Sequence, residues 1–302
     1  MKNNLIFLLS QPRSGSSYLQ IKLSFHNSIH STPESSFLLK YLYDFNNFDR
    51  LSYDTNYAEH STSEFLSHDT DFLYKQEFRK FILNLYNNFN ISEKKYFLDK
   101  SPRYYHIIMN LLDYFPDSKF IILLRNPLAV LSSLLKYHYN DNLKNGLSTY
   151  SCHDLFNSLN IFNTLWLDKN HYDNVLFTKY EDLMENSRGA LNSIFNFLSL
   201  NPSETQNQLD SHFLSSSFVD PNAKKYLNPV TDFSKSWLNQ ISTLQKRNIF
   251  LFYINYLKRI KIVTDNYDID YLSNLVINKK IKYIPYLIRT NTFFKNSFQF
   301  IN

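Results

Sequence analysis

Apolar and polar positions follow two rhythms along this chain. Five apolar residues in a row, Leu5 to Leu9, end at Ser10, the unbroken pattern of a strand covered on both faces of a parallel sheet. Gln11, Pro12, Arg13, Ser14 and Gly15 interrupt the run, and Ser16, Ser17 and Tyr18 open a helix presenting Leu19, Ile21, Leu23 and Phe25. Short apolar runs return at Tyr96-Phe97-Leu98, Phe120 to Leu124 and Val175-Leu176-Phe177. Between them the spacing is helical. Phe78, Phe81, Ile82, Leu85 and Phe89 predict about three turns. Ile107, Ile108, Leu111, Leu112 and Phe115 form the stripe of a helix that Ser101-Pro102 starts and Pro116 stops. Leu128, Leu131, Leu134 and Leu135 follow Asn126-Pro127, a second cap with Pro at the first helical position. Leu155, Leu159, Phe162 and Trp166, then Leu191, Ile194, Phe195 and Leu198, and finally Ile249, Tyr253, Tyr256 and Ile260 mark three more helices. His30 to Phe37, rich in small polar residues around Pro33, and Asp99-Lys100 read as loops.

Strand and helix thus alternate. The expected fold is α/β: a P-loop-like parallel sheet joined by right-handed crossovers, helices on both faces in three layers, and ligand loops at the carboxyl ends of the strands. No repeat and no Gly/Ser- or Pro-rich linker divides the chain, so a single domain over 1–275 is expected. Residues 44–95 would form a helical or lid-like insertion on the acceptor side, and 276–302 a basic, aromatic tail.

Charge changes this picture little. The net +5 is carried by Lys279, Lys280, Lys282, Arg289 and Lys295, beyond the last acidic residue, Asp270, and the remainder is balanced. A dedicated nucleic-acid binder, with a whole basic face, is disfavoured. The tail could lie on a membrane surface or an acidic glycan, but a solvated or docked terminus is the preferred reading. Cys152 is the only cysteine, which excludes an intrachain disulfide and a thiolate metal cluster. With no apolar run near the ~18 residues of a membrane span, and no signal-peptide core, a cytoplasmic protein is expected.

Candidate chemistry concentrates in the first turn. A helix N-terminus offers unpaired N–H groups and a positive dipole end, Gly15 permits close approach, and Arg13 with Ser14, Ser16 and Ser17 adds donors for an anion. The Walker pattern G-x-x-x-x-G-K-[ST] is not met, since the upstream Gly and the Lys are missing.

The stretch does resemble the 5′-phosphosulfate loop, P-[KR]-S-G-[ST]-[ST], of sulfotransferases that use 3′-phosphoadenosine 5′-phosphosulfate (PAPS). Four further segments resemble that family in order. Arg125 and Ser133 in RNPLAVLSS have the spacing of the pair that binds the 3′-phosphate, although a surface arginine and a filler serine would look the same. LDKSPRYY is similar to the D-K-[ST]-P-R-Y segment of the bacterial, carbohydrate- and tyrosylprotein-like branch, and points Lys100 at the cofactor sulfate. Tyr180 in YEDL would lie near the adenosine. Lys235 and Trp237 match a late basic-x-Trp element, lacking the usual Gly and Arg; Trp237 is equally compatible with ordinary core.

What the resemblance implies is in-line transfer of a sulfuryl group from PAPS to a hydroxyl or amine, with no metal, no nucleic acid, and a small-molecule, glycan or lipid-linked acceptor. Arg13 and Lys100 would stabilise the leaving phosphate oxygen. The general base is left among Glu34, the first choice because TPESSFL resembles the base-bearing segment of that branch, His106 and His30. A P-loop nucleotide kinase and a non-catalytic nucleotide-binding protein are the competing readings. The residues between Phe37 and Tyr96 carry no code that names the acceptor.

Overall fold

The computed structural model describes residues 4–42, 64, 70–89, 94–139, 149–205 and 236–280. Five parallel strands, β1 (Leu5–Ser10), β2 (Ile29–Ser31), β3 (Tyr96–Lys100), β4 (Lys119–Leu124) and β5 (Val175–Lys179), form one sheet in the order β2-β3-β1-β4-β5. β1 is central. Phe7 and Leu9 join the cluster on one face of the sheet, while Ile6 and Leu8 join the cluster on the other. Both faces are therefore dry, as the unbroken apolar run requires.

The helices are α1 (Ser16–Ser24), α2 (Thr70–Phe89), α3 (Ile108–Tyr114), α4 (Pro127–Tyr139), α5 (Ser158–Leu167), α6 (Tyr180–Glu185), α7 (Ser187–Phe197), α8 (Leu244–Leu257) and α9 (Ile269–Asn278); all but α6 and α9 carry the predicted stripes. Among the described residues no helix is long and apolar enough to cross a membrane.

Several expectations are corrected. Ile29–Ser31 is an edge strand paired to β3, not loop; three residues with one apolar side chain are too short to show a period. Asp99 and Lys100 belong to β3, because they still pair with β1 (Phe7 with Asp99, Leu8 with Lys100). α2 is 20 residues long and buries Ile82, Leu83 and Tyr86, while Phe81 points outward. The helix expected at Ser101 begins as a 3-10 turn, Pro102–Ile107, before α3, and a π-helical turn, His153–Asn157, precedes α5. Residues 276–278, grouped with the tail by composition, complete α9, where Val276 is buried. Most of the insertion, Lys235 and the tail from 281 lie outside the described residues.

The strand order locates the site. The chain leaves β1 toward β2 on one side and leaves β4 toward β5 on the other, and such a reversal opens a crevice at the carboxyl ends of the two adjacent strands. Arg13 follows β1; Arg125 follows β4.

Candidate active site

The loop after β1 is a tight turn, closed by the Ser14 N–H on the Gln11 carbonyl at 3.2 Å. Arg13 (φ 71°) and Gly15 (φ 93°) are both left-handed, a conformation that costs a side-chain-bearing residue of order 1 kcal/mol or more and collects at functional turns. Gly15 is required twice over. A Cβ there would also sit 2.5 Å from the Tyr180 ring. Gly15 is the N-cap of α1, and no side chain caps that helix, so its first N–H groups remain available to a ligand. The Ser14 hydroxyl oxygen is buried and has no partner among the described residues. A buried, unsatisfied donor beside an uncapped helix start is what an anion would complete.

The second arginine arrives from β4. Arg125 Nη1 donates to the Arg13 carbonyl at 2.9 Å, and Arg13 Nε donates to Ser133 Oγ on α4 at 3.3 Å. Each guanidinium covers an aromatic face: Arg13 lies 4.2 Å from the Tyr137 ring centroid and Arg125 4.3 Å from that of Tyr180. Arg125 Nε is buried without a partner among the described residues. The four residues Arg13, Arg125, Ser133 and Tyr180 therefore share one location, with Asn126 Oδ1 capping the start of α4 through the Leu128 N–H at 2.9 Å.

Lys100 closes the other side of the turn. Its side chain is 4% exposed, and the ammonium pairs with Glu34 Oε2 at 2.9 Å and donates to Ser17 Oγ at 3.4 Å. It therefore links the anion loop to the carboxylate singled out as a base. The Glu34 segment is held by its neighbours: Gln20 on α1 donates to Ser31 Oγ (2.7 Å) and to the Thr32 carbonyl (2.8 Å), and the Leu38 N–H donates to the Tyr104 hydroxyl (3.1 Å). Beneath it Asp99 is buried and accepts from Tyr104 at 2.8 Å, from Ser35 at 3.4 Å, and from Tyr86. Burial pushes the Asp99 carboxyl above the ordinary carboxylate value, against those hydrogen bonds and the Lys100 charge.

The two histidines occupy different places. His30 sits on the edge strand with its ring against Phe97. His106 lies beside Tyr105 and 6.3 Å from the His153 ring; burial, then the His153 and Arg103 charges, lower its pKa, with Asp154 opposing. His106 is only partly buried. Trp237 is 3% exposed and stacks on Phe250, inside the large core cluster, where it contributes packing.

Sequence reasoning missed two supports. Asp154, on the π-helical turn, pairs with Arg103 at 2.9 Å and accepts from Tyr105 at 3.0 Å, and its carbonyl accepts from Gln11 at 3.2 Å. Glu181, next to Tyr180, accepts the Asn126 N–H at 2.9 Å. Both contacts join distant segments, so no local pattern announces them. Among the described residues no group of three or more His, Cys, Asp or Glu side chains is arranged to hold a metal ion.

Residues 5–204 match the family model described as the sulfotransferase family. The chain belongs to the sulfotransferase family. Solved sulfotransferase structures share its architecture. The sulfotransferase domain from the curacin biosynthetic pathway aligns with a TM-score of 0.52 at 24% identity, covering 78% of this chain and 90% of that one. A sulfotransferase from Alicyclobacillus acidocaldarius (TM-score 0.48, 13% identity, 84% and 94% covered) and mouse sulfotransferase SULT7A1 complexed with PAP (0.46, 17%, 91% and 90%) are also similar. At 24% identity the likeness to the curacin-pathway domain is one of fold. No curated protein sequence matches this sulfotransferase chain.

Proposed function

We propose that this protein transfers the sulfuryl group of PAPS to a hydroxyl or amine of a small-molecule, glycan or lipid-linked acceptor and releases adenosine 3′,5′-bisphosphate. The observation that carries the reading is that the Arg125 guanidinium reaches the anion turn itself, donating to the Arg13 backbone carbonyl at 2.9 Å. Both cationic side chains lie at this one turn, over the Tyr137 and Tyr180 rings, and among the described residues neither is paired with a carboxylate. A doubly anionic ligand lying across the crevice accounts for that arrangement.

In this reading the turn 13–17 and the N-terminus of α1 hold the 5′-phosphosulfate, with Ser14 Oγ as a further donor. Arg125 and Ser133 hold the 3′-phosphate, and Tyr180 supports the nucleoside side. PAPS supplies an activated sulfuryl group on a phosphate leaving group. Arg13 and the α1 N–H groups face the oxygen on which negative charge grows as the S–O bond to that phosphate breaks. Lys100 exchanges its contact with Glu34 for the transferred group, which frees the Glu34 carboxylate to take the proton of the acceptor hydroxyl as the new O–S bond forms. The fixed geometry of Lys100 between Ser17 and Glu34 supports Glu34 over His30 and His106.

Thermal unfolding with adenosine 3′,5′-bisphosphate, and separately with ATP and Mg²⁺, tests the assignment. At a hundredfold excess over Kd a specific ligand adds about 2.7 kcal/mol. Stabilisation by the bisphosphate, followed by transfer of labelled sulfate in an acceptor screen, is expected; stabilisation by Mg-ATP alone would favour a kinase.

A further inference from the structure

Tyr267 lies beyond the residues matched by the family model, yet its hydroxyl reaches back to the crevice. It donates to Glu181 Oε2 at 3.0 Å, and Glu181 Oε1 accepts the Asn126 N–H at 2.9 Å. That N–H belongs to the peptide bond joining Arg125 to Asn126. The residue before Glu181, Tyr180, lays its ring under the Arg125 guanidinium. Residues 180 and 181 thus grip Arg125 by its flat face and by its outgoing peptide. Neither contact uses the N–H edge with which a guanidinium forks a phosphate.

The placement of charge is informative. A carboxylate directly on Arg125 would compete with an anionic ligand. Glu181 commits both oxygens elsewhere, and among the described residues no ion pair holds Arg125. Burial, with the Glu181 charge next, raises the Tyr267 hydroxyl pKa well above its ordinary value, while Arg125 acts in the opposite sense. Tyr267 therefore stays a neutral donor, and three groups, from the turn after β4, from α6 and from the segment before α9, interact at one point.

We infer that Glu181 and Tyr267 are positioning residues that aim Arg125 at the 3′-phosphate, so that the C-terminal helices tune which nucleotide the site prefers. The inference rests on the nucleotide reading proposed above. Partners that orient a ligating group are worth about 10- to 100-fold at metal sites, and a single neutral hydrogen bond somewhat less.

The test is calorimetric titration of adenosine 3′,5′-bisphosphate and of adenosine 5′-monophosphate into the wild-type protein, Tyr267→Phe and Glu181→Gln, with thermal unfolding of each. The wild type is expected to prefer the bisphosphate. Both variants should bind it about 5- to 20-fold more weakly while affinity for the monophosphate stays unchanged, so the 3′-phosphate preference falls. Equal weakening of both ligands would reveal a purely structural role and overturn the inference, as would an unchanged preference. Tyr267→Phe keeps the ring in place and carries the test should the Gln variant not fold. A wild type without any preference would instead remove the Arg125 assignment itself, a failure read on the unsubstituted protein and so distinct from failure of the relay.

Discussion

Arg125 donates through Nη1 to the backbone carbonyl of Arg13 at 2.9 Å, so a residue at the end of β4 fixes the turn at the end of β1. The two strands are neighbours whose chains depart in opposite directions, and this alone brings two cation-bearing loops to one crevice. The consequences can be measured one residue at a time.

Gly15→Ala forces a side chain into a φ of 93° and against the Tyr180 ring. The expected loss of stability is at least about 1–3 kcal/mol, together with loss of nucleotide binding as Tyr180 is pushed off Arg125. Urea denaturation and titration of adenosine 3′,5′-bisphosphate check both, and a variant that binds normally would refute the role given to the turn.

Glu34→Gln should lower turnover by about 10²–10⁴-fold and leave nucleotide affinity largely intact. Because Lys100 is buried against Glu34, this change should also cost about 1–3 kcal/mol of stability. His30→Asn and His106→Asn should retain turnover within a few-fold. Full activity in the Gln variant would transfer the base role to a histidine.

Asp99 is expected to behave differently from Glu34. Its folded-state pKa lies above the unfolded value of 3.8, so the carboxylate charge subtracts from stability as pH rises through that raised value. Asp99→Asn keeps an acceptor for both tyrosines and should hold stability at neutral pH within about 1 kcal/mol of wild type. Asp99→Ala strands two buried hydroxyls and should cost about 2–4 kcal/mol. Equal losses in the two variants would contradict this account.

His106 supplies the pH dependence on the acid side. Its folded pKa is below the ordinary 6.5, so the unfolded chain binds the proton first. Its contribution is intact above 6.5 and is lost as pH falls through that value, until the folded ring protonates as well. His106→Gln should flatten the stability profile in that window. An unchanged slope in denaturation midpoints measured either side of 6.5 would count against it.

What could be read from the chain follows from how local each signal is. The β1 run, the turn at Arg13 to Ser17, and the Asn126-Pro127 start of α4 are contiguous patterns whose physics acts within a few residues, and the structure reproduces them. β2 escaped because Ile29–Ser31 pairs only on one side, and Asp99 and Lys100 read as loop because charged residues seldom end a buried strand. The partners that stabilise the charges on them, Tyr86, Tyr104 and Glu34, come from other segments. The Asp154 and Glu181 contacts span still larger separations, and Trp237 turned out to pack on Phe250, an outcome that a two-residue motif could not distinguish from a nucleotide contact.

The central claim is that Arg13 and Arg125 bind opposite phosphates of one nucleotide. A crystal structure of the protein with adenosine 3′,5′-bisphosphate tests it most directly. The 5′-phosphate is expected in the turn formed by residues 13–17, and the 3′-phosphate within about 3 Å of the Arg125 guanidinium and of Ser133 Oγ. A nucleotide bound with only one phosphate in the crevice, or bound away from both arginines, would contradict the account.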